Sequence, residues 1–419
     1  MPVTRRAAPW REWWRAYVVD GEQRQIIDAP ESTTQALNVD ATATCIVLDD
    51  VLTRVPDVYL ALEQSAGRMR ADARLIVGIR NRIWQPLIRL QRRLTGDRTP
   101  MGNWIPPSDI VNLLEQTGFE IVRKESAVLF PAGIPVIGRF LNRWIAPLPL
   151  FRSLCVYNVV VARRGNRTDV ASPSVSVVVA ARNEAGNIPS LIDRLHQLAD
   201  VQELIFVEGG SRDETWEVIQ REIADRHGSR TVLRAARQTG KGKGDAVRLG
   251  FSMATGDILI ILDADLSVPP EELPRFIDLL RAGKCEFANG SRLVYPMEKE
   301  AMQFLNLIGN RLFGIAFTYL LGQPVRDTLC GTKALWRRDY ERIAARRSYF
   351  GELDPFGDFD LLFGAARLNL RIRDVPVHYK ERTYGSTNIS RFRHGLLLLR
   401  MTALAARRLK FVPLRIERP

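Results

Sequence analysis

The pattern of apolar and polar positions is most regular between residues 175 and 281. Short runs rich in β-branched residues predict strands at 175–180, 203–207, 231–234 and 258–262. Amphipathic stretches between and after them predict helices at 187–197, 213–224, 245–254 and 269–281. Strands that alternate with helices at this spacing are typical of βαβ units, so we predict an α/β fold with a largely parallel sheet.

A second, weaker alternation of predicted strands and helices precedes residue 175. The pattern predicts strands at 45–48, 74–79, 119–123 and 156–162, and helices at 11–18, 58–69 and 108–117. The polar stretch 165–173, which ends in Pro173, is typical of a linker. We therefore expect a first domain over 1–164, a linker over 165–173, a main domain over 174–388 and a basic amphipathic segment over 389–419.

The predicted strand at 258–262 is followed by two carboxylates, Asp263 and Asp265. Ligand sites of open α/β sheets lie at the carboxyl ends of the strands. Two acids placed there can hold a hard divalent cation, and such cations serve phosphate substrates. The sequence therefore predicts a metal-assisted site for a phosphate-bearing ligand.

Three other turns carry polar or glycine-rich sequence: 180–184 (Ala-Ala-Arg-Asn-Glu), 207–213 (Val-Glu-Gly-Gly-Ser-Arg-Asp) and 240–245 (Gly-Lys-Gly-Lys-Gly-Asp). Glycines let the backbone approach a ligand, and backbone amides with Lys suit an anion. Taken alone, sequences such as 180–184 and 207–213 are more often ordinary βα turns, and 240–245 is equally compatible with a flexible capped loop. Together with the Asp263–Asp265 turn, they should all lie at one edge of a parallel sheet.

Composition and charge narrow the class of protein. The chain has 419 residues, of which 46% are hydrophobic and 26% charged, as in ordinary multidomain globular proteins. Of the net charge of +13, the last forty residues contribute +8, from ten Lys or Arg and two acids. Such a tail can meet anionic lipid or phosphate; without a base-stacking or zinc-binding module, we expect no nucleic acid partner. Four widely spaced cysteines predict neither a zinc site nor a disulfide framework, so a reducing cytoplasm is the expected compartment.

No stretch reaches the ~18 consecutive apolar residues of a membrane-spanning helix, and no signal-peptide pattern begins the chain. Two shorter apolar stretches, 312–321 and 394–413, could lie in the lipid headgroup region. They could equally be helices packed on the core. We expect a peripheral protein at the cytoplasmic face of the cell membrane.

Residues 174–390 resemble the family 2 glycosyltransferases of the GT-A fold, especially the polyprenyl-phosphate (dolichyl-phosphate mannose synthase-like) branch. The first matching motifs are Ala181-Arg-Asn-Glu184, Glu208-Gly-Gly-Ser-x-Asp213-x-Thr215, Gly242-Lys-Gly-Asp-Ala-Val-Arg248-x-Gly250 and Gly256-Asp-Ile-x6-Asp-Ala-Asp265-Leu. The later ones are Gly290-Ser-Arg292, Asp327-x2-Cys-Gly-Thr-Lys333, Phe359-Asp360, Val375-Pro-Val-His-Tyr-Lys-Glu-Arg382 and Gly385-Ser386.

The resemblance implies a role for each matching residue. Asp265 would bind Mg²⁺ or Mn²⁺, and the catalytic residues would be Asp263, Asp265 and Asp360. The nucleotide-diphosphate sugar would contact Ala180, Arg182, Glu184, Glu208, Gly210, Ser211, Asp213, Lys243, Arg248, Asp263 and Ala264. The sequence departs from the family at Ser267, where Gln would assist the metal, and at Val207-Glu-Gly-Gly, which is usually Val-Asp-Asp-Gly.

The acceptor side is less defined. Candidates to hold an anionic acceptor are Ser291, Arg292, Arg311, Lys333, Arg382 and Ser386, although some could be solvated surface groups. A polyprenyl phosphate needs no strong base, whereas a sugar hydroxyl requires one, and by family position Asp358 or Asp360 is the choice. Asp360 could equally cap or orient a neighbouring Arg. We predict metal-dependent, inverting transfer to a polyprenyl phosphate. The alternatives are transfer to a glycan hydroxyl in envelope polysaccharide synthesis, and a non-catalytic ligand-binding scaffold.

Residues 45–163 resemble the C-terminal half of a class I S-adenosylmethionine-dependent methyltransferase. The matching features are the Asp49-Asp50 strand end, the strand Arg74-Leu-Ile-Val-Gly78 and the loop, helix and strand from Trp104 to Glu120. Such enzymes need an early glycine-rich turn that brings backbone to the cofactor. Gly21 is the only glycine before residue 45, so we expect a partial, non-catalytic domain.

Overall fold

A computed structural model describes residues 9–19, 21–28, 37–96, 102–131, 135–165, 172–295, 304–349, 357–381, 384 and 391–412. The chain forms two compact units. The first contains the residues up to 167 and those from 407 onward, and the second contains residues 168–406. The boundary at 167/168 lies inside the polar stretch 165–173.

The first unit is built on a five-stranded sheet in the order β1-β2-β3-β5-β4. Its strands are β1 (Arg24–Ile27), β2 (Cys45–Asp49), β3 (Arg74–Arg80), β4 (Phe119–Ala127) and β5 (Tyr157–Arg164). Strands β1 to β3 are parallel, and β5 runs antiparallel to both β3 and β4. The four predicted strands are confirmed. The sequence pattern missed β1, a short edge strand with one buried residue in four.

The helices of the first unit are α1 (Val58–Arg68), α2 (Gln85–Thr95), α3 (Pro107–Gln116), α4 (Pro135–Phe140) and α5 (Pro149–Arg152). A 3₁₀ helix covers Pro9–Ala16, and a π-helical turn joins α4 to α5 at Leu141–Ile145. Trp13 is fully buried, stacks on Tyr157 at 5.5 Å, and donates from Nε1 to Asp49 Oδ1 at 2.8 Å. The resemblance of this unit to methyltransferases stays a prediction.

The basic C-terminal segment contacts the first unit within residues 407–412. Lys410 Nζ donates to both carboxylate oxygens of Glu125, at 2.8 and 2.7 Å, and Phe411 stacks on Trp144 with ring centroids 5.4 Å apart. Burial lowers the pKa of Lys410, against the opposing effect of Glu125. The charge of Lys410 is therefore paired with Glu125 inside the first unit.

The second unit is built on a seven-stranded sheet in the order β12-β10-β11-β9-β6-β7-β8. Its strands are β6 (Val175–Ala181), β7 (Val201–Glu208), β8 (Val232–Arg237), β9 (Ile258–Asp263), β10 (Phe287–Ser291), β11 (Lys333–Trp336) and β12 (Ile372–Pro376). Within this sheet β11 is antiparallel to both β9 and β10, and the other pairs are parallel. The predicted α/β fold with a largely parallel sheet is confirmed.

The helices of the second unit are α6 (Ile188–His196), α7 (Thr215–Asp225), α8 (Lys243–Met253), α9 (Leu273–Arg281), α10 (Phe304–Leu321), α11 (Arg337–Ala344), α12 (Asp358–Arg367) and α13 (Arg391–Ala405). Apolar residues of α6 and α9 pack on the sheet face that carries Val177 and Ile260. The opposite face receives α8 so closely that a Cβ at Gly250 would lie 2.3 Å from Val178 Cγ1. Successive strand residues point to opposite faces, which explains why β6 and β9 are apolar throughout.

The two apolar stretches that the sequence offered for a membrane surface are helical over 312–321 and 394–410. In α10, Phe317 and Leu320 are buried, while Leu312 and Ile315 are exposed. In α13, Leu396 and Leu399 are exposed and Met401 is buried. Among the described helices, none combines the length and apolarity needed to cross a membrane.

Candidate active site

The ends of β6, β7 and β9 bring the predicted turns to one edge of the sheet. The parallel register places Ala181 opposite Glu208 and Ala180 opposite Asp263. Strands lie about 4.8 Å apart, so the Glu208 and Asp263 backbones are separated by roughly twice that distance, with the end of β6 between them. The convergence that the sequence predicted for these turns is present.

The turns after β6 and β7 are held together by hydrogen bonds. Ser211 Oγ accepts from the Asn183 amide at 3.0 Å, and the Arg212 amide donates to Asn183 Oδ1 at 2.8 Å. The Asp213 carboxylate accepts from the Ala185 and Thr215 amides. Although partial burial raises the pKa of Asp213, hydrogen bonds from the Thr215 hydroxyl and these amides lower it overall. The Ser211 and Asp213 side chains therefore brace the turns.

Two carboxylates flank this braced pair of turns. Glu184 Oε2 accepts from Asn187 Nδ2 at 2.7 Å, and its amide donates to Thr215 Oγ1 at 2.9 Å. Glu208 is buried, accepts the Ser211 amide, and lies 3.8 Å from Arg237 Nε. Beyond Glu208, Gly209 lies beside exposed Arg182, and Gly210 has a φ of 72°, a conformation that favours glycine. Both carboxylates are fixed in position before any ligand binds.

The glycine-lysine loop brings a cation to the carboxyl end of β9. Lys243, the first residue of α8, forms an ion pair with Asp263 Oδ1. Both side chains stay about a quarter accessible to solvent. The loop folds back on itself, because the Gly240 amide donates to Asp245 Oδ2 at 3.0 Å, and Asp245 lies 3.8 Å from Arg248.

Gly331 covers this ion pair from the loop that precedes β11. A Cβ built at Gly331 would lie 2.2 Å from Asp263 Oδ2 and 2.3 Å from Lys243 Nζ. Distances this short mean that no side chain fits at residue 331 unless the pair moves. Gly331 stands inside the motif Asp327-x2-Cys-Gly-Thr-Lys333, in which no role was expected for it. A glycine two residues before a buried strand does not by itself show which groups it approaches.

Asp265 is buried directly after β9, with Ala264 also buried beside it. Its Oδ1 accepts from the Ser267 amide at 3.0 Å, and Leu266 between them has a φ of 56°. Non-glycine residues adopt this left-handed backbone conformation only at a cost in free energy, and such conformations concentrate at functional sites. The carbonyl of Ser267 also accepts the Lys380 amide at 2.8 Å, so Ser267 supports Asp265 through its backbone.

The donor set fits a divalent ion only in part. Within the described residues, no three His, Cys, Asp or Glu side chains are grouped as metal ligands. Asp265, with Asp263 one residue earlier, supplies carboxylate oxygens of the kind that Mg²⁺ and Mn²⁺ prefer. An ion there would take its other ligands from phosphate oxygens and water, as Mg²⁺ does in nucleotide sites.

Asp360 lies in the first turn of α12 and does not stand free. Its Oδ2 accepts from Arg347 Nε at 2.8 Å, and the pair is largely buried. The start of α12 touches the glycine-lysine loop, because a Cβ at Gly357 would lie 2.7 Å from Gly244 Cα. The Asp358 side chain lies outside the described residues.

The predicted acceptor residues separate into three groups. Arg292 donates two hydrogen bonds to buried Asp327, from Nε at 2.7 Å and from Nη2 at 2.9 Å. Asn310 Nδ2 also donates to Asp327 at 2.9 Å. Lys333 is fully buried and donates to the Cys330 carbonyl, and Ser291 is fully buried. Arg311 is exposed, whereas Arg382 and Ser386 lie outside the described residues.

The Arg292–Asp327 pair is a structural ion pair. Burial alone would raise the pKa of Asp327, but the Arg292 guanidinium and its hydrogen bonds lower it to about 2. Burial opposes the charge of Arg292, yet Asp327 raises the pKa of Arg292 overall. Because both ends of its guanidinium fork are engaged, Arg292 is a weaker candidate for an acceptor phosphate than exposed Arg311.

Tyr384 lies beside the candidate site, although the sequence did not single it out. A Cβ at Gly186 would lie 2.8 Å from the Tyr384 ring, and the Tyr384 hydroxyl is 3.4 Å from Asp213 Oδ2. The ring thus lies beside the turn after β6, although 171 residues separate Tyr384 from Asp213. Its position between Arg382 and Ser386, both predicted as acceptor ligands, was the available signal.

Residues 176–344 match the family model described as "Glycosyl transferase family 2". This chain is 30% identical to undecaprenyl-phosphate 4-deoxy-4-formamido-L-arabinose transferase from Pseudomonas fluorescens over 225 residues. The match covers 52% of this chain and 61% of that relative. The chain is also 29% identical to glycosyltransferase AglD from Haloferax volcanii over 233 residues. That match covers 54% of this chain and 36% of the relative. The match thus spans less than two thirds of either relative.

Among solved structures, the chain is similar to glucosyl-3-phosphoglycerate synthase from Mycobacterium tuberculosis, in complex with Mn²⁺, uridine diphosphate and glucosyl-3-phosphoglycerate. The identity is 22%, the TM-score is 0.41, and the match covers 57% of this chain and 81% of that chain. A likeness of this degree says nothing about what this chain binds.

Proposed function

Because residues 176–344 form a glycosyl transferase family 2 domain of the GT-A fold, we propose that the chain transfers a sugar from a nucleotide-diphosphate donor to a polyprenyl phosphate. The observation that carries the proposal is the meeting of Glu208, the Lys243–Asp263 pair and Asp265 at one sheet edge. Two relatives add support, since both are sugar transferases and one is named for undecaprenyl phosphate.

The donor half of the site follows from the fixed turns. Glu184 and Glu208 offer carboxylate oxygens to ribose hydroxyls or to base N–H groups, and their positions are set by Asn187, Thr215 and Ser211. Hydrogen-bond acceptors that are already held in place lose little conformational entropy when a ligand binds. As neighbours of these turns, five further residues are proposed to contact the donor: Ala180, Arg182, Gly210, Arg248 and Ala264.

Lys243, Asp263 and Asp265 form the diphosphate half of the site. A leaving nucleoside diphosphate gains negative charge as the sugar–oxygen bond breaks, so positive charge aimed at it stabilises the transition state. Lys243 Nζ can turn from Asp263 toward that charge, because the pair is partly open to solvent. Asp265, with Asp263, would hold Mg²⁺ or Mn²⁺, which when bound would neutralise charge on the diphosphate.

The hydrogen bonding of Asp360 helps to decide between a hydroxyl acceptor and a phosphate acceptor. A hydroxyl acceptor would require a general base within reach, and the candidate, Asp360, already accepts a charge-assisted hydrogen bond from Arg347. A lipid phosphate is an anion that attacks the anomeric carbon without such a base. Direct attack from the face opposite the leaving group inverts that carbon. Phosphate is therefore the acceptor that these contacts favour, and Arg311 is the described residue proposed to meet it.

Binding calorimetry tests the donor half. We expect Mn²⁺ alone to bind weakly, and a nucleoside diphosphate to bind at least tenfold more tightly when Mn²⁺ is present, since the ion would be shared with the phosphates. The Asp265→Asn variant should lose this enhancement, while Asp278→Asn, in an exposed position, should keep it. Equal enhancement in both variants would contradict the proposal.

A further inference from the structure

We propose that helix α2 and residues 135–154 of the first unit form a docking surface for an anionic lipid bilayer. This goes beyond the proposed transfer reaction, because it assigns a role to the unit that takes no part in that chemistry. We refer to α2 together with residues 135–154 as the docking surface.

Helix α2 is amphipathic but has no core to pack against. None of its eleven residues, all of them described, is buried. Leu87, Leu90 and Leu94 recur at the spacing of one helix face, and Leu94 is 79% exposed. A helix this short is marginal in water without a packed face. A partner that covers the leucine face would supply the missing stabilisation.

The segment 135–154 exposes apolar side chains to the same degree. Exposed there are Val136, Ile137, Phe140, Trp144, Leu150, Phe151 and Leu154, of which Leu150 is 84% exposed. So many large apolar residues on one short segment exceed the scattered exposure that is usual on soluble surfaces, and they mark an interaction site. Trp and Phe are the aromatic residues that interfacial segments carry.

Hydrogen bonds join the two parts. Asn81 Nδ2, just before α2, donates to the carbonyls of Ser153 and Cys155 at 2.7 and 2.9 Å. Trp84 Nε1 donates to the Leu154 carbonyl at 2.9 Å. These bonds hold the residues just before α2 against the chain just after α5, so the two exposed apolar stretches adjoin one another.

The charge of this surface selects an anionic bilayer. The docking surface contains no Asp or Glu and six Arg: Arg89, Arg92, Arg93, Arg139, Arg143 and Arg152. Arg152 pairs with Glu125, and the others leave a strong positive excess beside the leucines. Apolar residues flanked by Arg match the boundary between acyl chains and anionic headgroups. An ordinary protein partner would not require such one-sided charge.

Vesicle flotation with the full chain tests the inference. We expect binding to phosphatidylcholine vesicles that contain phosphatidylglycerol, weaker binding to pure phosphatidylcholine, and loss of the difference at high salt. Leu87→Ser/Leu90→Ser/Leu94→Ser should reduce partitioning at least tenfold, and Arg89→Gln/Arg93→Gln should reduce the salt dependence. Because none of these side chains is buried, the variants should keep wild-type circular dichroism.

A matched control separates this surface from the exposed residues of α10. Leu312→Ser/Ile315→Ser alters two similarly exposed residues of the second unit, and it should keep wild-type partitioning. Equal partitioning of the α2 variant and the wild type would overturn the inference. So would a wild-type dimer in light scattering that the α2 substitutions dissociate, since a second copy would then cover the face. Nucleotide binding by calorimetry reports separately on the proposed transferase function.

Discussion

At the scale of single residues, the site depends on close approaches that a sequence cannot display. The pairing of Lys243 with Asp263 was expected only as proximity, from family position. The backbone of Gly331 against both groups was not foreseen, because the residues come together only when β11 inserts beside β9. Asp360 was expected either as a general base or as the partner of a neighbouring Arg, and only the fold identifies that Arg as Arg347.

Gly331 supplies a sharp test at this scale. In Gly331→Ala the new Cβ would displace the Lys243–Asp263 pair, so we expect sugar-nucleotide turnover to fall by about 10² or more, as when a positioned charged group is lost. The measurement is initial rate at saturating donor. Gly309→Ala, whose Cβ would meet nothing within 4 Å, is the matched control. Unchanged turnover in Gly331→Ala would refute the role of the covered ion pair.

At the scale of elements, local periodicity predicted the α/β alternation of the second unit, because buried strands and amphipathic helices leave direct marks on the sequence. The antiparallel β11 was not predicted, since strand direction is set by neighbours far along the chain. Helix α2 was missed although Leu87, Leu90 and Leu94 show its period. The Arg292–Asp327 pair spans 35 residues and joins β10 to the loop before β11.

This pair predicts how stability depends on pH. The pKa of Asp327 is lower in the folded protein, about 2, than in the unfolded chain. Its contribution is thus fully present above about pH 4 and is lost as the pH falls toward 2. We expect Asp327→Asn to lower the free energy of unfolding at pH 7 by about 2 kcal/mol or more.

Urea unfolding followed by circular dichroism, from pH 7 to pH 2.5, measures the effect. The gap between wild type and Asp327→Asn should shrink as the pH falls, whereas Asp278→Asn should follow the wild type throughout. A gap that is constant across the range would mean that the charge of Asp327 does not stabilise the fold.

At the scale of the whole molecule, every described residue of the candidate site lies in the second unit. The first unit has three parallel strands and an antiparallel pair, but the sequence has no glycine between Gly21 and Gly67. A cofactor pyrophosphate or carboxylate that needs close backbone contact would therefore find no glycine turn after β1 or β2. The sequence pattern predicted a first domain, a main domain and a separate basic segment, and the fold groups residues 407–412 of that segment with the first unit.

The absence of this turn predicts that S-adenosylmethionine does not bind. Calorimetry with the full chain should give no saturable heat for S-adenosylmethionine up to millimolar concentration. The same preparation should bind a nucleoside diphosphate with Mn²⁺, which shows that the protein is folded. Saturable, stoichiometric binding of S-adenosylmethionine would show that the first unit retains a cofactor site.

The most direct test of the central claim is a panel of radiolabelled nucleotide-diphosphate sugars incubated with the chain, Mn²⁺ or Mg²⁺, and a polyprenyl phosphate. We predict that one donor delivers label to the organic phase, that chelation abolishes transfer, and that Asp265→Asn lowers the rate by at least about 10² while Asp278→Asn leaves it unchanged. Transfer that persists in Asp265→Asn, or label that reaches a glycan hydroxyl acceptor in a parallel incubation but never enters the organic phase, would contradict the account.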